Sequence, residues 1–123
     1  MNQNLACSSE DNEKRIKAKV SRYRRFYKNL AKDKTALVEG LVRRMAALEV
    51  FIEDAEQDMA ARGTYEYFQQ SPDVEGYERT RPIVNQHASW VAQYQRLLKQ
   101  LLAELPEAEA QKDDLQQFMA LRG

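Results

Sequence analysis

The chain has 123 residues, 31% of them charged and 43% apolar, a balance that fits amphipathic helices in one modest domain and excludes a purely polar disordered chain. No run approaches the roughly 20 uninterrupted apolar residues of a bilayer span, and Met1 to Ser9 lacks the apolar core of a leader peptide, so a cytoplasmic protein without a membrane partner is expected. The single Cys7 makes neither an internal disulfide nor a zinc site and fits a reducing compartment.

A formal net charge of zero conceals segregation. Residues 14–34 hold ten Lys or Arg against one acid, Asp33, so this stretch carries +9 and the remainder −9. Such a distribution is the footprint of an element that binds polyanions, joined to an acidic body.

Residues 1–10 are polar, lack periodicity and read as a loose, flexible tail. A basic helix is expected over 11–31, because Ile16, Val20, Tyr23, Tyr27 and Leu30 recur at spacings of three and four and form one stripe. Cations fill its other faces. A break at 32–34 follows, where Asp33 or Thr35 is placed to accept free backbone donors of the next helix.

The second helix is expected from about Thr35 to Arg62, with Val38, Leu41, Met45, Leu48, Ile52, Ala55 and Met59 at heptad spacing and Gly63 as C-terminal cap. At 1.5 Å per residue it is on the order of 40 Å long, which suggests coiled-coil packing. Gly40, costing about 1 kcal/mol inside a helix, either permits close approach of another helix or is tolerated sequence. Residues 63–81 read as a loop or irregular hairpin, with Ser71, Pro72 and Gly76 breaking the pattern and Tyr65 alternating with Tyr67. Pro82 suits the first turn of a third helix. Val84, His87, Val91, Tyr94, Leu98, Leu101 and Leu105 give its stripe, and Pro106 ends it. The expected fold is therefore all-α: the basic helix, a long antiparallel helical hairpin over 33–106 serving as oligomerisation core, then an acidic linker and short tail helix over 107–123.

Catalytic chemistry needs convergent polar groups, and the sequence offers few. It has no Gly-rich phosphate loop, no nucleophile elbow and no pair of histidines at metal spacing. An enzyme is not expected, nor is any cofactor or metal. His87 lies on an apolar stripe, where a hydrogen-bonded core or interface histidine is the ordinary outcome. Glu49, Glu53 and Glu56 share a helical face but lack the Glu-x-x-His partner of a di-iron site, so a solvated face is expected.

The basic helix carries the functional signal. Lys14, Arg15, Lys17, Lys19, Arg22, Arg24, Arg25 and Lys28 span about four turns, and phosphate is their natural partner. An anionic membrane surface and the acidic body of a neighbouring subunit are the alternatives; Tyr23, Phe26 and Tyr27 suggest packing against protein more than insertion into lipid, which favours DNA.

The order of features also resembles a known family. The stretch KRIKAKVSRYRRFYKNLAKDKTALVEGLVRRMAALEVFIEDAEQDM, a Tyr-rich variable loop, and RPIVNQHASWVAQYQRLLKQLLAELP together look like small terminase subunits of tailed bacteriophages and prophages, over residues 14–106. The resemblance implies a ring-forming homo-oligomer that recognises double-stranded viral DNA and delivers it to a large terminase subunit for genome packaging. Lys14 to Lys28 would then approach DNA. Subunit contacts would come from Val38, Leu41, Met45, Leu48, Ile52, Met59, Val84, Val91, Tyr94, Leu98, Leu101 and Leu105, and the large subunit would meet the tail at Leu115, Phe118, Met119 and Leu121. A coiled-coil adaptor, or a small helical DNA-binding regulator, is the competing reading of the same features.

Overall fold

The computed structural model describes the backbone of residues 2–105 and the side chains of residues 10–105. Pro106, the expected linker and tail over 107–123, and the side chain of Cys7 lie outside the described residues. The elements in order are α1 (Asn2–Tyr23), a 3-10 turn (Arg24–Phe26), α2 (Lys32–Arg62), β1 (Tyr65–Phe68), β2 (Tyr77–Thr80) and α3 (Pro82–Glu104). The molecule is mostly helical, and none of the described helices is long and apolar enough to cross a membrane.

α2 is the spine, with α1 on one face and α3 on another. Contacts between α2 and α3 run in opposite sequence order: Lys34 lies near Glu104, Phe51 stacks on Trp90, Glu56 meets His87 and Asp58 meets Arg81. Being covered on two faces, α2 buries more than the heptad stripe. Val38, Leu41, Met45, Leu48 and Ala55 are buried as that stripe requires, but so are Val42, Ala46, Glu49 and Val50. The core lies toward one end, where Tyr23, Phe26 and Tyr27 pack with Val38, Val42, Met45, Leu101 and Leu105.

Several expectations need correction. Of the two readings of 63–81, the hairpin holds: β1 and β2 pair antiparallel, Tyr65 opposite Thr80 and Phe68 opposite Tyr77, so the fold carries a small sheet and is not all-α. Alternation in YEYF and YERT is what permits this pairing. One face of the hairpin becomes a small cluster, with Arg79 stacked 3.6 Å from the Phe68 ring centroid, paired to Glu66 at 2.7 Å, and Phe68 meeting Tyr77 edge-on. Helical backbone in α1 begins at Asn2, ahead of the expected start at Asp11, since nothing over residues 2–10 is a Gly or Pro that would break it. It ends at Tyr23, eight residues early, where the chain tightens into the 3-10 turn. The tighter turn brings Phe26, off the expected stripe, into the core beside Tyr23 and Tyr27.

α2 opens at Lys32, and neither Asp33 nor Thr35 caps it. Thr35 instead donates its hydroxyl to the carbonyls of Leu30 and Ala31, while its amide makes the first helical bond to Ala31. Gly63 does close the helix, at φ 81° with its amide on the Met59 carbonyl, the left-handed region where a Cβ is strained.

The residues expected to hold subunits together are largely used within the chain. Val38, Leu41, Met45, Leu48, Leu101 and Leu105 are buried in it, and Ile52, Met59, Val84, Val91, Tyr94 and Leu98 are half-buried. The reason is stoichiometric: α2 and α3 turn their stripes toward each other before any second copy is present.

Three elements meet in one polar chain at the heart of this core. The Tyr23 hydroxyl donates to Glu49 Oε2 at 2.8 Å and lies 2.8 Å from the Tyr94 hydroxyl. A carboxylate only accepts, so Tyr94 donates to Tyr23 and Tyr23 to Glu49. Burial, reinforced by Tyr94 and Glu49, pushes the Tyr23 phenol far above its ordinary 10.0. The stabilisation tied to this raised value is complete below pH 10.0 and declines above it, because the unfolded phenol ionises there and the folded one does not. Tyr23→Phe is expected to cost about 1 to 3 kcal/mol in urea unfolding at neutral pH. It should also make the fall of stability above pH 10 shallower by about 1.4 kcal/mol per pH unit; an unchanged alkaline limb contradicts the assignment.

Candidate nucleic-acid interface

A segment with eight cations over residues 14–28, five of them on α1, lies against a neighbour only if that neighbour supplies counter-charge, and α2 does. Arg15 donates to Asp54 Oδ1 at 2.9 Å and to Glu53 Oε1 at 3.2 Å, and Lys19 donates to Glu53 Oε2 at 2.8 Å. Lys19 is only 8% exposed, a depth at which an ammonium needs a carboxylate in contact. Burial alone would lower the pKa of Arg15, but Asp54 and Glu53 together outweigh it and leave the value raised. Together with Tyr23 on Glu49, these contacts form a ladder along the α1–α2 seam.

The ladder corrects two expectations. Glu49 and Glu53 do not form a solvated face; they are the acidic half of the seam, and Glu49 is buried. Glu56, on the same helix, pairs with His87 at 3.1 Å, so the expected hydrogen-bonded histidine is found at the α2–α3 seam. Among the described residues, no group of three or more His, Cys, Asp or Glu is placed to hold a metal. Arg15 and Lys19, in turn, face inward. The inward stripe of α1 runs through Asn12, Arg15, Lys19 and Tyr23, rotated by about one residue from the purely apolar stripe. The signal was present in the spacing: Arg15 and Lys19 stand four apart on one helix, as Glu49 and Glu53 do on the next.

The remaining cations divide by position. Lys14, Arg22 and Lys28 are exposed and make no ion pair among the described residues. Arg25 is exposed with its guanidinium 4.7 Å from the Phe26 ring centroid, and the Arg24 guanidinium lies 3.7 Å from Glu39. Lys17 and Arg24 line an open cleft of about 520 Å³ between α1 and α2, whose apolar lining is Ile16, Val20 and Gly40. α2 adds Glu39 and Arg43. Arg43 belongs to this site although the charge run in the sequence ends before it; it reaches the cleft because α1 folds back along α2. Among the described residues, no helix comes close to Gly40: a Cβ there meets nothing within 4 Å.

Comparison with protein-family models, with curated proteins and with solved structures finds no match to this chain.

Geometry assigns different consequences to cations of one helix. Lys19→Ala is expected to lower unfolding stability by about 1 to 2 kcal/mol, discounted because Glu53 is partly exposed. It should leave the salt dependence of any DNA binding unchanged. Lys14→Ala should do the reverse, with a stability change within about 0.5 kcal/mol. Urea unfolding and DNA titration of both variants decide this, and equal stability effects contradict the inward placement of Lys19.

Proposed function

We propose that the protein acts as a small terminase subunit: a non-catalytic, homo-oligomeric factor that binds double-stranded viral DNA and delivers it to a large subunit supplying ATPase and nuclease. The observation that carries this reading is the sorting of charge on the basic helix. Acids of α2 neutralise Arg15 and Lys19 and so fix the helix in place, while Lys14, Arg22, Arg25 and Lys28 remain outward on an exposed surface. Outward cations on a fixed helix meet phosphates along a duplex and release condensed counterions, without needing base contacts. Sequence selection then comes from many copies acting on one DNA segment, which is how a ring of modest binders works. In the same reading, α2 and α3 form a long antiparallel helical hairpin against whose α2 the DNA-contacting segment lies.

Replacing Lys14, Arg22 and Lys28 together with Ala is expected to weaken duplex binding for every sequence. Because each phosphate contact contributes a slope of about −0.9, the plot of log affinity against log salt should flatten by up to about 2.7. Fluorescence anisotropy at several salt concentrations reads both quantities. An unchanged slope removes this face from the interface.

A further inference from the structure

The β1–β2 hairpin is unused by the reading above, and its surface is unlike the rest of the molecule. Residues 69–78 contain three acids, Asp73, Glu75 and Glu78, and no Lys, Arg or His. Val74, Tyr77, Tyr65 and Tyr67 are 49%, 55%, 67% and 68% exposed, four of the six large apolar side chains that face solvent among the described residues. The tip itself reads Asp73-Val74-Glu75, an apolar knob between two carboxylates.

This hairpin is held in shape. Gln69 donates to the Val74 carbonyl at 2.9 Å, and the Val74 amide to the Ser71 carbonyl at 3.2 Å. Gly76 lies against the Tyr67 ring, which would have to shift to admit a Cβ there. At its base, Arg81 donates to Asp58 at 2.6 Å and to the Gly63 carbonyl at 2.7 Å, fixing the hairpin to the end of α2. A two-stranded sheet is marginal in water by itself, and a rigid one exposing tyrosines is a presented surface.

The cleft between α1 and α2 has the opposite character. Lys17, Arg24 and Arg43 are its cations, Glu39 its acid, and Ile16 and Val20 its apolar lining. The open space over Gly40 leaves room for a side chain to enter. We propose that the cleft receives the Asp73-Val74-Glu75 tip of a second copy of this chain, Val74 entering against Ile16 and Val20 while Asp73 and Glu75 meet Lys17, Arg24 and Arg43.

The occupant comes from another molecule because of distance. The cleft lies at Glu39 to Arg43 and the hairpin follows Arg62, about 30 Å away at 1.5 Å per residue along one continuous helix. A chain cannot fill its own cleft. Each copy therefore carries one half of the contact at either end, and a contact between unlike surfaces propagates head to tail, closing a ring if the rotation allows. The apolar lining favours this knob over a phosphate chain, which has no apolar group to place against Ile16 and Val20. The inference rests on the homo-oligomer of the proposed function and names its contact; the outward cations Lys14, Arg22 and Lys28 stay available to DNA.

Charge exchange tests it on the full chain, with mass read by light scattering at several concentrations and helicity by circular dichroism. The tip variant Asp73→Lys/Glu75→Lys and the cleft variant Lys17→Glu/Arg43→Glu should each weaken self-association at least about 100-fold, since like charges brought together cost several kcal/mol. All four changed positions are exposed, so helicity should persist. Mixing the two variants, or combining all four substitutions in one chain, should restore assembly because opposite charges face each other again. Wild-type assembly that both variants retain overturns the tip-in-cleft contact and leaves the oligomer reading standing. A wild type that is monomeric throughout overturns both. Loss of assembly in the single variants without recovery on mixing also overturns the contact, as does loss of DNA binding at unchanged mass in the cleft variant.

Discussion

A buried lysine organises this protein. Lys19 sits at the seam of α1 and α2 with its ammonium on Glu53, flanked by Arg15 on Asp54 and Tyr23 on Glu49. An ammonium at that depth is costly without its carboxylate, so the rotation of α1 about its axis is restricted to orientations that keep Glu53 within reach. Apart from Tyr23 at its C-terminal end, the apolar residues of α1 would leave that rotation loosely defined, because Ile16 and Val20 are only half-buried. Specific polar pairing supplies orientation where apolar packing supplies adhesion.

Orientation matters because the helix is cationic on every side. With Arg15 and Lys19 directed inward, Lys14, Arg22, Arg25 and Lys28 point away and Lys17 with Arg24 turns toward the cleft. One run of positive charge thus becomes three surfaces with separate consequences: a fastening, a cleft wall and an outward face. The acidic remainder of the chain divides similarly. Glu49, Glu53 and Asp54 are consumed at the seam, and Asp73, Glu75 and Glu78 are carried on a hairpin at the far end of α2. Zero net charge with strong local segregation is what self-association by unlike surfaces needs, since repulsion between copies is small while attraction between ends is large.

The sequence made the helices legible where their signals are local. Pro82 does begin α3, Gly63 does end α2, and Val38, Leu41, Met45, Leu48 and Ala55 of the expected stripe are buried along α2. What it hid is set by contacts between distant segments. Periodicity in α1 favours the apolar residues, but the buried stripe includes Arg15 and Lys19, because acids some 35 residues later stabilise them there. The β1–β2 pair was similarly faint: four-residue strands give only two alternations each, and their register depends on partners across an eight-residue turn. Heptad spacing identified which residues of α2 and α3 are covered without saying by what, and they cover each other. No local pattern could have announced Arg43, which joins the basic cleft only through the reversal of chain direction between α1 and α2.

Lysines that are neighbours in sequence differ in exposure, and lysine acetylation read by mass spectrometry, with and without duplex DNA, measures that difference most directly. Lys19 should label slowly in both samples, while Lys14 and Lys28 should label rapidly in free protein and become protected when DNA is bound. Rapid labelling of Lys19 in the free protein, or Lys14 and Lys28 as reactive with DNA as without it, would contradict this division of the lysines.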